Sequence, residues 1–398
     1  MNFYFNVHSS LLLVGFIQGV VFATLLMRRG IREERLSDRL LSLLIIVCTL
    51  HISQYMLGFA GWYDSHDWQT TFMFYFPFHH LLLLGPLIYF YLRSLTNHQF
   101  RLTRDDWWHF IPFMFSMLVY LISFVGDVVI RKWIMDIPFS IHFDTKGTIE
   151  HFTEGVPRDF IHYGTYVSIL FYLFHSVQTY RNYKRYINDH FSDTESITFG
   201  WLRNILYALC IGMVGMLMIR LFNLVVSELS YSQFWTSHLV IAIMIYVVGI
   251  MGYTSVFKGQ QQLEFQPNKQ KGEEEEAPKE QLSEELRAWK QQLLTYMEEK
   301  KPYLDSTITL KELSRKLNTN SSILSKVINT GFEQNFNDFI NAYRVKGVQQ
   351  KFKENAHEQL TLMSIALDCG FNSKATFNRA FRKFSGVSPR EYLAQITK

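Results

Sequence analysis

Cysteine is scarce, with three residues in 398. Cys48, Cys210 and Cys369 sit in three separate apolar patterns with no CxxC and no Cys/His neighbour. That spacing supports neither a disulfide framework nor a zinc site. The chain also lacks HExxH and any paired histidine-ligand spacing, so no metal and no haem or other cofactor is expected. No constellation of nucleophile, base and orienting group is visible, which argues against an enzyme. Basic residues are missing ahead of the first apolar run; Arg28 and Arg29 follow it. This is the wrong polarity for a cleaved signal peptide, and predicts a retained first span with its N-terminus outside.

Aromatic residues, by contrast, are abundant: 35 Phe and 21 Tyr. About 20 mostly apolar residues cross a hydrocarbon core as a helix. Seven stretches qualify: 9–27, 40–59, 74–93, 108–128, 159–178, 202–225 and 235–256. Trp62, Trp68, Trp107, Trp108, Trp201 and Trp235 mark their ends, as interfacial anchors do. One alternating set of loops carries twelve basic residues: Arg28, Arg29, Arg32, Arg35, Arg39, Arg93, Arg101, Arg104, Arg181, Lys184, Arg185 and Arg203. The other set carries four, Arg131, Lys132, Lys146 and Arg158, all in one long loop. The positive-inside rule then predicts the N-terminus outside and the C-terminus inside, which an odd number of spans satisfies.

Charge divides the chain in three. Residues 1–258 hold 18 Lys+Arg against 17 Asp+Glu, residues 259–299 hold 5 against 10, and residues 300–398 hold 16 against 8. A basic terminal region behind an acidic one points to a polyanionic partner. The stretch GQQQLEFQPNKQKGEEEEAPKE after Lys258 has no apolar period and reads as a charged, flexible linker. The domains expected are therefore 1–257 in the membrane, a linker over 258–280, and a soluble domain over 281–398.

From Gln281 a helical stripe runs through Leu282, Leu286, Trp289, Leu293 and Met297. It reads as the first core helix of the soluble domain, or in its earlier half as a dimerising or signal-relaying helix. An internal repeat follows. Thr309-Leu310-x-x-Leu313 recurs as Thr361-Leu362-x-x-Ile365 and Leu317 as Cys369, at an offset of 52; Leu324 and Ile328 recur as Phe377 and Phe381, at 53. Each copy reads as a Thr-capped helix, a short turn, and a second helix capped by Ser321 or Ser373. Gly370 supplies positive φ in the second turn. This is helix-turn-helix, twice. Asn335–Lys353 joins the copies as a helix with Phe336, Phe339, Ile340, Tyr343 and Val348 inward.

The stretches Ile365–Ser373, Phe377–Phe384 and Gly386–Tyr392 closely resemble the signature of AraC-type transcription regulators, and Leu310–Ile328 with Tyr343-Arg344-Val345 matches more loosely. The resemblance covers about residues 288–396. It implies a soluble AraC-type domain with two helix-turn-helix motifs over that stretch; taken with the seven apolar stretches, the expected chain is all-α, a seven-helix transmembrane bundle followed by this domain, in the inner membrane of a bacterial cell. Gly347 departs from the pattern, since glycine within a helix costs about 1 kcal/mol relative to alanine. Most members carry a soluble sensory domain, so no sugar-like ligand carries over.

Each second helix is expected in a major groove of double-stranded DNA. Its outward residues are Ser321, Ser322, Ser325 and Lys326 in the first copy, and Ser373, Lys374, Asn378, Arg379, Arg382 and Lys383 in the second. Arg379, Asn378 and Lys374 are assigned to base edges, Arg382 and Lys383 mainly to phosphates, or else to ordinary solvation. In the membrane part, Gln54, His79, His80, His162, Arg220 and His238 fall toward the outer ends of spans. They are candidates for a small-molecule or lipid ligand, with snorkelling to the interface as the alternative. Three functions compete: a one-component sensor, with homodimerisation tightening its hold on repeated sites; a passive anchor controlled by proteolytic release at the linker; and a transporter or membrane enzyme with an attached regulator.

Overall fold

The first apolar run turns helical at Val7 because Asn6 caps it: the Asn6 side chain accepts the Ser9 N–H while the Ser9 hydroxyl accepts the Asn6 N–H. The structure is a computed structural model that describes residues 6–78, 80–195, 197–200, 202–207, 218, 230–254, 265 and 284–397. Among these the regular elements are all helical; backbone pairing of strand type is limited to two isolated bridges, Ile141 with Lys146 and Phe191 with Thr309. The chain divides into two units, Met1–Tyr180 with Gly200–Val256 and Gln261–Glu264, and Arg181–Phe199 with Phe257–Gln260 and Phe265–Lys398.

The first unit contains α1 (Val7–Arg32), α2 (Leu36–Phe59), α3 (Trp68–Tyr75), α4 (Leu84–Thr96), α5 (Ile111–Ser123), α6 (Thr148–Glu154), most of α7 (Val156–His190) and α8 (Tyr231–Thr254). Helices α1, α2 and α8 pack closely because small residues face one another: a Cβ on Gly15 would lie 2.5 Å from that of Ala242, and one on Gly19 would run into Thr49. One buried carboxylate ties their ends together. Asp38, 1% exposed, receives Arg29 Nε at 2.6 Å, and the same guanidinium donates to the Gly252 and Tyr253 carbonyls that end α8. The outward faces stay apolar, with Val14, Phe115, Leu118 and Phe174 exposed, as suits lipid.

Among the described residues, four helices are long and apolar enough to cross a membrane: Val7–Arg32, Leu36–Phe59, Asp105–Ile134 and Tyr231–Thr254. Asp105–Ile134 is composite, with a 3₁₀ lead over Asp105–Phe110 and a π-type tail over Phe124–Ile134. The expected span 74–93 is not one helix. Chain after Tyr75 is extended at Phe76 (φ −76°, ψ 126°), because the residue before Pro77 is pushed out of the α region, and helix resumes only in the short apolar segment Leu81–Thr96. The expected span 159–178 lies within α7. Most of the expected span 202–225 and of the linker 258–280 lies outside the described residues.

The second unit adds α9 (Glu284–Lys300), α10 (Leu310–Lys316), α11 (Ser321–Gly331), α12 (Phe336–Lys353), α13 (Leu362–Asp368), α14 (Lys374–Ser385) and α15 (Pro389–Ile396). It holds two cores. Leu293 and Met297 of α9 join Leu313, Leu324, Ile328 and Phe339 in one, with Leu286 and Trp289 packed against it, so the stripe is a core helix. Leu282 lies outside the described residues. Val348, Phe352, Ile365, Phe371, Phe377 and Phe381 form the other. The two ends of α12 belong to different cores, which fixes the copies to one another. Burying each such side chain contributes roughly 1.5–3 kcal/mol.

Candidate nucleic-acid interface

Each helix pair is positioned by its caps. Thr309 and Glu312 form a reciprocal capping box on α10; the Thr361 hydroxyl accepts the Ser364 N–H on α13; the Ser373 hydroxyl accepts the Thr376 N–H on α14. One cap differs from expectation. Asn320 caps α11, accepting the Ile323 N–H at 2.8 Å, and Ser321 is the first helical residue, its hydroxyl 3.2 Å from that of Ser314. Asparagine caps as well as serine does, and the turn offers several polar residues in a row. The turns themselves take left-handed backbone at Asn318 (φ 56°) and Gly370 (φ 91°).

Phe377, Ala380 and Phe381 turn α14 inward. The opposite face exposes Lys374, Asn378, Arg379, Arg382 and Lys383, with Ser373 half-buried at the cap. Lys383 is held by Asp338 of α12 at 2.6 Å. On α11, Leu324, Val327 and Ile328 are inward, Ser322 and Lys326 are exposed, and Ser321 and Ser325 are half-buried. The second pair therefore presents the stronger positive face, and its guanidinium and amide groups are of the kind that bond base edges.

Arg344 is the residue that sequence reasoning missed. It is 1% exposed, and its guanidinium donates to the Tyr303 and Asp305 carbonyls at 2.8 Å each, to Asn341 Oδ1 at 3.3 Å and to the Ser192 hydroxyl at 3.2 Å. Burial lowers its pKa to about 10 against the opposing pull of Asp193 and Asp305. Beside it a Cβ at Gly370 would collide with the Tyr303 carbonyl oxygen and lie 3.0 Å from Arg344 Nε. Cys369, buried next to Gly370, has its thiol pushed up to about 11 by desolvation.

The second unit also takes in a segment that the sequence places in an inner loop between spans. Asn337 Nδ2 donates to the Ser192 carbonyl at 2.7 Å and to that of Phe191 at 3.3 Å; the Ser192 N–H reaches the Ile308 carbonyl. Asn372 Nδ2 donates to Asp193 Oδ2 at 2.6 Å, and Glu195 Oε2 accepts from the hydroxyls of Ser373 and, at 3.0 Å, Thr376.

Of the polar residues singled out in the first unit, Gln54 and His238 are near one cluster. Gln54 donates to the Tyr63 hydroxyl at 2.8 Å; on the next residue of α2, the Tyr55 ring stacks on His238 of α8, with His51 4.8 Å from the same imidazole. His80 sits against Phe113 instead, and His162 lies on α7. His79 and Arg220 lie outside the described residues.

Residues 313–395 match the model of a family described as a helix-turn-helix domain. That stretch contains Ile365–Ser373, Phe377–Phe384 and Gly386–Tyr392 and most of Leu310–Ile328, and the AraC-type resemblance holds for this part of the chain. No curated protein and no solved structure matches the chain.

Proposed function

We propose that this helix-turn-helix, DNA-binding transcription regulator works from the membrane, as a one-component sensor that couples a membrane or extracytoplasmic signal to sequence-specific DNA binding. The observation that carries the reading is α14: a buried aromatic face against the domain, and Lys374, Asn378, Arg379 and Arg382 exposed on the other side. In it Arg379, Asn378 and Lys374 read base edges, while Arg382 and Lys383 hold phosphates. Helix α11, with Ser321, Ser322, Ser325 and Lys326, sets register more than it discriminates. The two readers, fixed to one another by α12, address successive major-groove faces about one duplex turn apart.

The membrane part completes the reading: seven spans, N-terminus outside, soluble domain inside. The four long apolar helices with outward apolar side chains support it. The cluster around His238 and Tyr55, with Gln54 nearby, is the first place to seek a small-molecule or lipid ligand, and a homodimer would raise affinity for repeated sites through effective concentration. Genome-wide mapping of bound sites tests the core of this. Wild-type chain should mark discrete sequences, and Arg379→Ala should insert normally yet lose the sequence preference. An unchanged site list with Arg379→Ala refutes the base-reading role. Replacing residues 1–257 by an unrelated pair of spans tests sensing: regulation that survives the exchange leaves only an anchor, and a free C-terminal fragment on induction points to proteolytic release.

A further inference from the structure

We propose that the acidic segment Phe191–Glu195 is a built-in competitor of DNA, docked on the start of the reading helix α14 and displaced when the domain binds a duplex; the inference rests on the DNA-binding reading above. Two of its carboxylates sit on groups a phosphate would use. Asp193 takes the Asn372 side-chain amide, and Glu195 takes the hydroxyls of Ser373 and Thr376 in the cap and first turn of α14. The first turn of a helix presents unsatisfied N–H groups and the positive end of the macrodipole, so it draws anions. In a groove-bound helix-turn-helix the N-terminal part of the second helix is the part that approaches the duplex. Glu195 and Asp193 therefore hold that position with the charge sign of the backbone they exclude.

The docking is more than an exposed ion-pair encounter. Phe191, Ser192 and Thr194 are buried, and Phe191 bridges to Thr309 at the start of α10. Asn337 of α12 binds two of the segment's carbonyls, and the buried Arg344 donates to the Ser192 hydroxyl. One short segment thus touches the first helix pair, the connecting helix and the second helix pair. The anchoring residues Phe191, Ser192 and Thr194 are themselves uncharged, while the two carboxylates lie against the start of the reading helix, Asp193 also within the field of Arg344. That division allows the carboxylates to lift without unfolding the domain. The segment follows on α7 with no intervening linker, ending at His190, and the same helix begins at Val156 in the first unit. A change in α7 is therefore transmitted covalently to the residues that cover α14.

The test uses the full chain in phospholipid nanodiscs and random-sequence duplexes enriched separately by wild type and by Glu195→Gln. Glu195→Gln and Asp193→Asn should each tighten binding, together by roughly tenfold, the gain expected when a docked state occupied about nine-tenths of the time is lost. Glu358→Gln, which removes one negative charge from an exposed turn of the same unit, should change affinity less than about twofold. As a second arm, oxidation of an Asp193→Cys, Asn372→Cys chain should abolish binding and reductant should restore it. Binding that weakens in Glu195→Gln would make the segment a brace that DNA recognition needs, and unchanged binding would make it a bystander. Either result overturns the proposal while leaving the DNA-binding reading intact. Failure of every chain to retain any duplex would overturn the DNA-binding reading and this proposal with it.

Discussion

Replacing Gly370 by alanine loads a Cβ onto the most constrained point of the second turn. Gly370 has φ 91°, where an L side chain costs roughly 1–2 kcal/mol. The added atom also meets the Tyr303 carbonyl oxygen well inside contact, with Leu304 Cα and Arg344 Nε both 3.0 Å away. Two of these three neighbours are backbone and do not swing aside. Relief requires the Tyr303 carbonyl to retreat from Arg344 Nε, stretching a 2.8 Å bond to a buried cation; hydrogen bonds to charged groups contribute about 1.5–3 kcal/mol. The expected loss is about 3–5 kcal/mol, a large part of the 5–15 kcal/mol that typically holds a domain together. Hydrogen exchange on the full chain in nanodiscs reads this locally. Amides of α13 and α14 should exchange about a hundredfold faster or more, at about 1.4 kcal/mol per tenfold. A change below about fivefold in those amides would refute the reasoning, since it would mean the turn yields freely.

Three further outcomes follow from other sites. Gly347→Ala places a Cβ 3.4 Å from Cys369 Sγ, ordinary contact, so slowed exchange in α12 worth up to about 1 kcal/mol is expected; faster exchange would show that the helix crossing is tighter than it looks. Arg382→Ala should weaken all duplexes alike and lower the slope of log affinity against log salt by about one, whereas Arg379→Ala should cost about 1–3 kcal/mol at one base pair, both read by titration at several salt concentrations. Hydrogen bonds from the Ser388 backbone N–H and then its side chain hold the Glu391 carboxyl below the usual carboxylate range. Its folded value is depressed, so its support of α15 is present above pH 4.5 and lost as pH falls through that lower value. Protection of α15 amides, corrected for intrinsic rates, should fall there in wild type and stay flat in Glu391→Gln.

Local rules made much of the helix-turn-helix region legible. Threonine caps, serine at the start of α14, and glycine in the second turn each express short-range backbone chemistry, so Thr309, Thr361, Ser373 and Gly370 could be read in place. The inward stripe of α9 and the inward residues of α12 follow helical period alone; Tyr343 is half-buried while Phe336, Phe339, Ile340 and Val348 are fully inside. What escaped the sequence depends on distant chain. Arg344 carries only a loose family match in the sequence; its burial depends on Tyr303, Asp305 and Ser192, which supply oxygens around it. Nothing periodic in Phe191–Glu195 tells that this short acidic stretch lies against a domain more than a hundred residues later. The break at Phe76 is written in the sequence as Pro77, but the unbroken apolar composition of 74–93 hides it.

The claim most in need of direct measurement is that the basic domain stands in the same compartment as the chromosome, carried there by the membrane helices. A reporter active only in the cytoplasm and one active only outside, each fused after Lys398 in the full chain, decide it. Signal is expected from the cytoplasmic reporter alone; signal from the external reporter alone would place the domain on the wrong side of the membrane.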